Sequence, residues 1–159
     1  MRRFFENKFV YRIIIAAISL YVLIAFVKLP PINGDEQSMF SEMVYGTAWK
    51  PFVYRTLLPT SVRIISEVIP ESMHIILTEK VESNHLLMLS LEKLKWESEF
   101  ITEYLIAMVL MYLSLLGFVY AFRKLFDEIY ISPLWFKNVI SIILLLAIPA
   151  MFQPNYSNY

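Results

Sequence analysis

The sequence predicts an all-α integral membrane protein with three transmembrane helices and a large extracytoplasmic loop of amphipathic, interfacial helices. Three observations predict it. Hydrophobic residues make up 58% of the chain and charged residues 18%, against about 45–50% and about 25% in soluble domains, and the mean hydropathy is +0.56. The apolar residues gather into three runs, 13–29, 100–122 and 134–152, that are almost free of charge. Between the first two runs the apolar residues instead recur at helical spacing among frequent charges, as in helices that lie on a membrane surface.

Residues 1–12 carry four basic side chains and one acid, interleaved with Phe4, Phe5, Phe9 and Tyr11. Rings at headgroup level and cations beside phosphate are what a membrane interface accepts. The run 13–29 is short for a hydrocarbon slab of about 30 Å, and counting its flank from Phe9 brings it to length. A cleaved signal peptide shares the basic start, but Lys28-Leu-Pro-Pro lacks the small-x-small cleavage pattern. The segment therefore reads as a signal anchor.

Pro30 and Pro31 stop this helix. Asn33 with Glu36 three residues on makes an Asn-x-x-Glu capping box, predicting a short helix over 34–45 that ends at Gly46. Residues 48–55, with Trp49, Phe52 and Tyr54, read as an extended connector, and Pro59 as the first residue of a helix running to Ile69. Beyond Pro70, residues 71–99 read as one longer amphipathic segment, too charged to cross a bilayer. The second span, 100–122, is closed by Arg123 and Lys124. Residues 123–133 form a connector, the third span opens at Trp135 and Lys137, and 153–159 is a polar, aromatic tail.

Basic flanks set orientation. The N-terminal flank and the stretch 123–137, with three basic residues to two acids, are expected in the cytoplasm. The loop 30–99, with six basic and ten acidic residues, and the tail are expected outside a cytoplasmic (inner) membrane that the chain crosses several times.

No cysteine is present, which excludes disulfides, thiolate nucleophiles and Cys-ligated metals. A net charge of zero without a basic stripe argues against a nucleic-acid partner. His74 and His85 are too few for a His-only metal site, and phosphate-cradling glycine loops, zinc-protease helices and Gly-x-Ser-x-Gly elbows are absent.

The candidate chemistry lies in 33–59. Asp35 and Glu36 follow the first span directly, and ionisable groups at such a position are costly to keep. They suit two roles. Acids at a helix start can simply cap it, for about 0.3–1 kcal/mol. Alternatively, one carboxylate deprotonates an acceptor hydroxyl or holds a divalent cation. Burial near lipid raises the pKa of such a base, and a neighbouring Arg lowers it. Arg55 offers a two-pronged donor to phosphate, or else snorkels at the interface.

The segments GDEQSMF (34–40) and PFVYRTLLP (51–59) resemble bacterial membrane glycosyltransferases of the C superfamily, in which a first transmembrane helix leads into an outer loop with an acid near its start. The resemblance implies a sugar donor linked to polyprenyl phosphate, and Asp35 as catalytic base or metal contact with Glu36 as its alternate. It further implies Arg55 and Tyr54 on the substrate, and a divalent cation at Asp35 if one is used. Members of that group have more spans, which implies either that these 159 residues are the front of a longer enzyme, inactive alone, or that the likeness is to the architecture of the loop. The competing expectation is a non-catalytic membrane subunit or assembly factor that docks on a membrane-protein partner through its amphipathic loop.

Overall fold

The computed structural model describes residues 7–28, 33, 39–49 and 57–151. Regular structure among these residues is entirely helical, with no strand among them. The helices are α1 (Lys8–Lys28), α2 (Phe40–Tyr45), α3 (Leu57–Val68), α4 (Glu71–Glu82), α5 (His85–Leu94), α6 (Ile101–Ile129) and α7 (Leu134–Met151), with a 3-10 turn at Ser98–Phe100 before α6. They fall into two units. One comprises α1, the part of α6 from Met111 onward, and α7; the other spans Pro30–Leu110.

In the first unit α1 is started by Asn7, whose Oδ1 accepts from the backbone N–H groups of Phe9 and Val10 at 2.9 and 3.3 Å, the arrangement that makes Asn a favoured cap. Its buried stripe, Tyr11, Ile15, Ser19, Val22, Leu23 and Val27, repeats at three and four residues. Tyr11, Ile15 and Val22 form a core with Val119 of α6 and Leu145 of α7. Ser19 and Ser141 are fully buried; small residues of this kind let helix backbones approach closely. Two polar contacts fix the register. The Tyr112 hydroxyl donates to the Ala16 carbonyl at 3.3 Å, and the Tyr11 and Ser141 hydroxyls share a hydrogen bond of 2.8 Å.

α1 and the stretch Ser98–Ile129 are long and apolar enough to cross a bilayer, with mean hydropathies of 2.4 and 2.3. At 1.5 Å per residue α1 extends about 32 Å, whereas α7, with 18 residues, reaches about 27 Å against the roughly 30 Å of a hydrocarbon core. It is a shorter apolar helix, interrupted near its end by Pro149.

The second helical run does not stop at Arg123 and Lys124. α6 continues to Ile129, so the expected connector over 123–133 shrinks to the four residues after it. Charge ends an apolar span without ending a helix. Phe126 makes ring contacts with Phe122 and Tyr130, four residues to either side, at 5.9 and 5.1 Å, and such pairs favour helix continuation.

In the second unit the described part of the expected helix over 34–45 starts only at Phe40, and residues 34–38 lie outside the described residues. Met39 has φ −56° and ψ 131°, outside helical space, and α2 begins at Phe40. Gly46 ends it as expected, with φ 78°. α3 starts at Leu57, with Pro59 inside the first turn, where a missing N–H costs nothing. The single amphipathic segment expected over 71–99 is broken into α4, α5 and the 3-10 turn. Asn84 causes the first break: its side chain caps α5 by accepting from Leu86 and Leu87 N–H groups. Lys95 causes the second, taking the left-handed conformation at φ 54°.

Candidate functional site

The four residues singled out from the sequence, Asp35, Glu36, Tyr54 and Arg55, lie outside the described residues. Two polar constellations lie within the second unit, one around Asn33 and one around Glu103.

Asn33 is fully buried. Its Nδ2 donates to the Lys95 carbonyl at 2.8 Å and to the Tyr104 hydroxyl at 2.7 Å. Its Oδ1 accepts from the Phe40 N–H at 2.9 Å. The asparagine thus accepts at the start of α2, seven residues on; the first turn of the expected capping box, residues 34–36, lies outside the described residues. Around Asn33, Trp96 stacks on Tyr104 with ring centroids 4.4 Å apart and planes 6° from parallel, and Phe40 lies 5.8 Å from the same tyrosine. Ser41 donates to Glu97 at 3.0 Å. Chain on either side of residues 34–38 is therefore held against the corner after α5 and the first turn of α6.

Glu103, 3% exposed, sits on that same first turn. Its Oε1 accepts from the Tyr45 hydroxyl at 3.0 Å and from Ser66 Oγ at 2.8 Å, so α2, α3 and α6 meet on one carboxylate oxygen. Its Oε2 is buried and has no hydrogen-bond partner. Buried polar atoms are rarely left so, because an unsatisfied one costs about 1–3 kcal/mol. Glu103 borders a cavity of about 340 Å³ shared with Arg63, Glu67, Glu71, His74 and Glu99. His74 Nε2 lies 3.3 Å from the Ser66 carbonyl. Among the described residues no three His, Asp or Glu side chains are placed to hold a metal ion; the metal expectation rests on Asp35.

The Tyr45 hydroxyl is pushed up from 10.0 to about 12, first by burial, then by its hydrogen bond to Glu103 and by the charges of Glu103, Glu99 and Glu67. The folded protein therefore keeps Tyr45 neutral where an unfolded chain has lost the proton. Stability from this contact is complete below pH 10 and is lost as the pH rises towards about 12. Glu103→Gln is expected to move the Tyr45 transition part of the way back towards 10.0, because burial remains while the carboxylate is gone. Phenolate absorbance of this variant against wild type, with Tyr45→Phe as reference, checks it; an unmoved transition would show that Glu103 does not act on Tyr45.

Glu103 lies near the start of the apolar run 100–122. The signal was there: a carboxylate three residues into an apolar run is expensive unless it has partners. Ser66 and Tyr45 gave no such sign, since their roles depend on contacts 37 and 58 residues away.

The fold and site define an all-helical protein in which two helices can cross a bilayer and a separate helical unit encloses buried polar clusters. No protein-family model, curated protein or solved structure matches the chain.

Proposed function

We propose that this chain is an inner-membrane protein with three spans, a cytoplasmic N-terminus and an outer helical loop, and that the loop serves glycosyl transfer from a polyprenyl-phosphate-linked sugar. The bilayer reading is supported by what the long helices expose. Leu105, Val109, Leu113 and Phe118 of α6, Leu20 and Ile24 of α1, and Ile143 and Leu146 of α7 are 40–60% exposed, and apolar surface on this scale is covered by lipid or a partner. The transfer reading takes its chemistry from the resemblance at 34–59. The observation that carries it to a site is the Asn33 cluster, which anchors the chain two residues before Asp35.

In this reading Asp35 takes the proton of the acceptor hydroxyl as that oxygen bonds to the anomeric carbon of the sugar. The bond from that carbon to the phosphate oxygen breaks, and polyprenyl phosphate leaves with both electrons, its charge met by Arg55 and its position shared by Tyr54. Glu36 is the alternate base, and a divalent cation, if used, binds at Asp35. The test is transfer of labelled sugar by membranes holding the full gene product, in wild type, Asp35→Asn and Glu36→Gln. Unchanged transfer in both variants would sink the proposal.

A docking subunit is the second reading, favoured by one observation. No residue of α4 is buried, and α5 buries only Leu91, leaving Met73, Ile75, Ile76, Leu86 and Leu87 exposed. Leu86 is 74% exposed, so Leu86→Glu is expected to leave thermal stability within about 0.5 kcal/mol of wild type while releasing a co-purifying membrane protein. Retention of that protein by the variant would count against docking through this face.

A further inference from the structure

We infer that the first unit carries a binding site for an anionic phospholipid, with the lipid phosphate held by Lys8, Arg12, Arg123 and Lys124. The inference rests on the bilayer-spanning reading and is independent of glycosyl transfer. These four side chains, from the start of α1 and the later part of α6, border one cavity of about 610 Å³, a size typical of small-molecule sites.

The charge of the cavity is one-sided. Asp127, the acid on its border, is paired with Lys137. Among the described residues none of the four cations has a carboxylate within ion-pairing distance. Lys8 and Arg12 stand four residues apart on one helix and Arg123 and Lys124 are neighbours on another, so four positive charges border one space, and among the described residues no carboxylate is paired with any of them. Like charges gathered in this way draw an anion to that space.

Part of the site is also pre-set. The Arg123 guanidinium lies 4.5 Å from the centre of the Tyr11 ring. Tyr11 is buried and fixed by its hydroxyl contact with Ser141 at 2.8 Å. The guanidinium is thus positioned on an aromatic face, with its donors available for the two-pronged contact that phosphate accepts.

The remaining walls choose between anions. Ile15, Leu116 and Val119 line the same cavity. They lie about 5–12 Å further along their helices than the cations, at 1.5 Å per residue. A soluble phosphate ester would meet apolar surface there, whereas the first carbons of an acyl chain would be matched by it. Basic pockets between membrane helices on the cytoplasmic side are places where anionic headgroups bind, and the predicted orientation puts this end of α1 in that leaflet.

The test uses the full chain in phosphatidylcholine nanodiscs with and without phosphatidylglycerol, followed by native mass spectrometry of retained lipid. Wild type is expected to retain phosphatidylglycerol over phosphatidylcholine. Arg12→Gln with Lys124→Gln, both exposed and outside the core, is expected to lower that preference about thirty-fold. Lys28→Gln, at the other end of α1, is expected to leave it unchanged. Arg123→Lys, which keeps the charge and loses the planar contact, is expected to fall between. Equal retention of the two lipids, or an unaltered preference in the double variant, would overturn the site. Displacement by soluble glycerol phosphate would overturn the lipid assignment in favour of a soluble ester. Extraction of the chain from native membranes by alkaline carbonate would remove the bilayer reading itself, a failure distinct from membrane retention without headgroup preference.

Discussion

Asn33→Ala is expected to destabilise the second unit by about 3 kcal/mol or more. The substitution removes three hydrogen bonds at once, to the Lys95 carbonyl, the Tyr104 hydroxyl and the Phe40 N–H. Two of these lie in fully buried surroundings, where each orphaned group costs about 1–3 kcal/mol. Water cannot readily replace the lost amide, because the site is enclosed by the Trp96–Tyr104 stack and Phe40. Asn33→Asp separates the contributions. It keeps an acceptor for Phe40 but presents no amide donor to Lys95, so its stability should lie between the two. Thermal unfolding of the purified chain and protection of 33–100 from protease check both variants. Protection equal to wild type in Asn33→Ala would show that the asparagine does not anchor this unit.

Asp35→Asn is expected to lower sugar transfer by about 10²- to 10⁴-fold, the range a positioned general base supplies. Asparagine keeps the shape of the side chain and removes its basicity, so donor binding should be little changed and the loss should appear in the turnover rate. Arg55→Lys tests the other half of the chemistry. Lysine keeps the charge but not the two-pronged geometry, and the expected effect is weaker donor binding with a smaller loss of turnover. A loss caused by unfolding would instead lower the thermal stability of these variants, which Asn33→Ala calibrates.

The long apolar helices were legible because the signal is carried by each segment alone: a run of apolar residues is enough to mark α1, α6 and α7. Gly46 and Pro70 were legible as helix breakers for the same reason, since each acts on its own backbone. Continuation of α6 through Arg123 and Lys124 is not legible from the apolar run, because the end of such a run marks the end of a span and not of a helix. The break at Asn84 was missed because the apolar periodicity persists across it, while the competing contact, a side chain accepting from two N–H groups just beyond it, is too local to disturb that pattern. Asn33 and Glu103 show a different limit. Their residue types announced polar roles, but the partners come from distant parts of the chain, and no spacing rule selects Tyr104 for Asn33 or Ser66 for Glu103.

The distance between Asn33 and Tyr104 along the chain also sets an order of events during synthesis. The two residues are 71 positions apart. A ribosome adding about 5–20 residues per second needs roughly 4–14 s to go from the first to the second. Throughout that interval Asn33 is without the aromatic corner that later encloses it, and α2 lacks its distant cap. Completion of the second unit therefore waits for the first turn of α6.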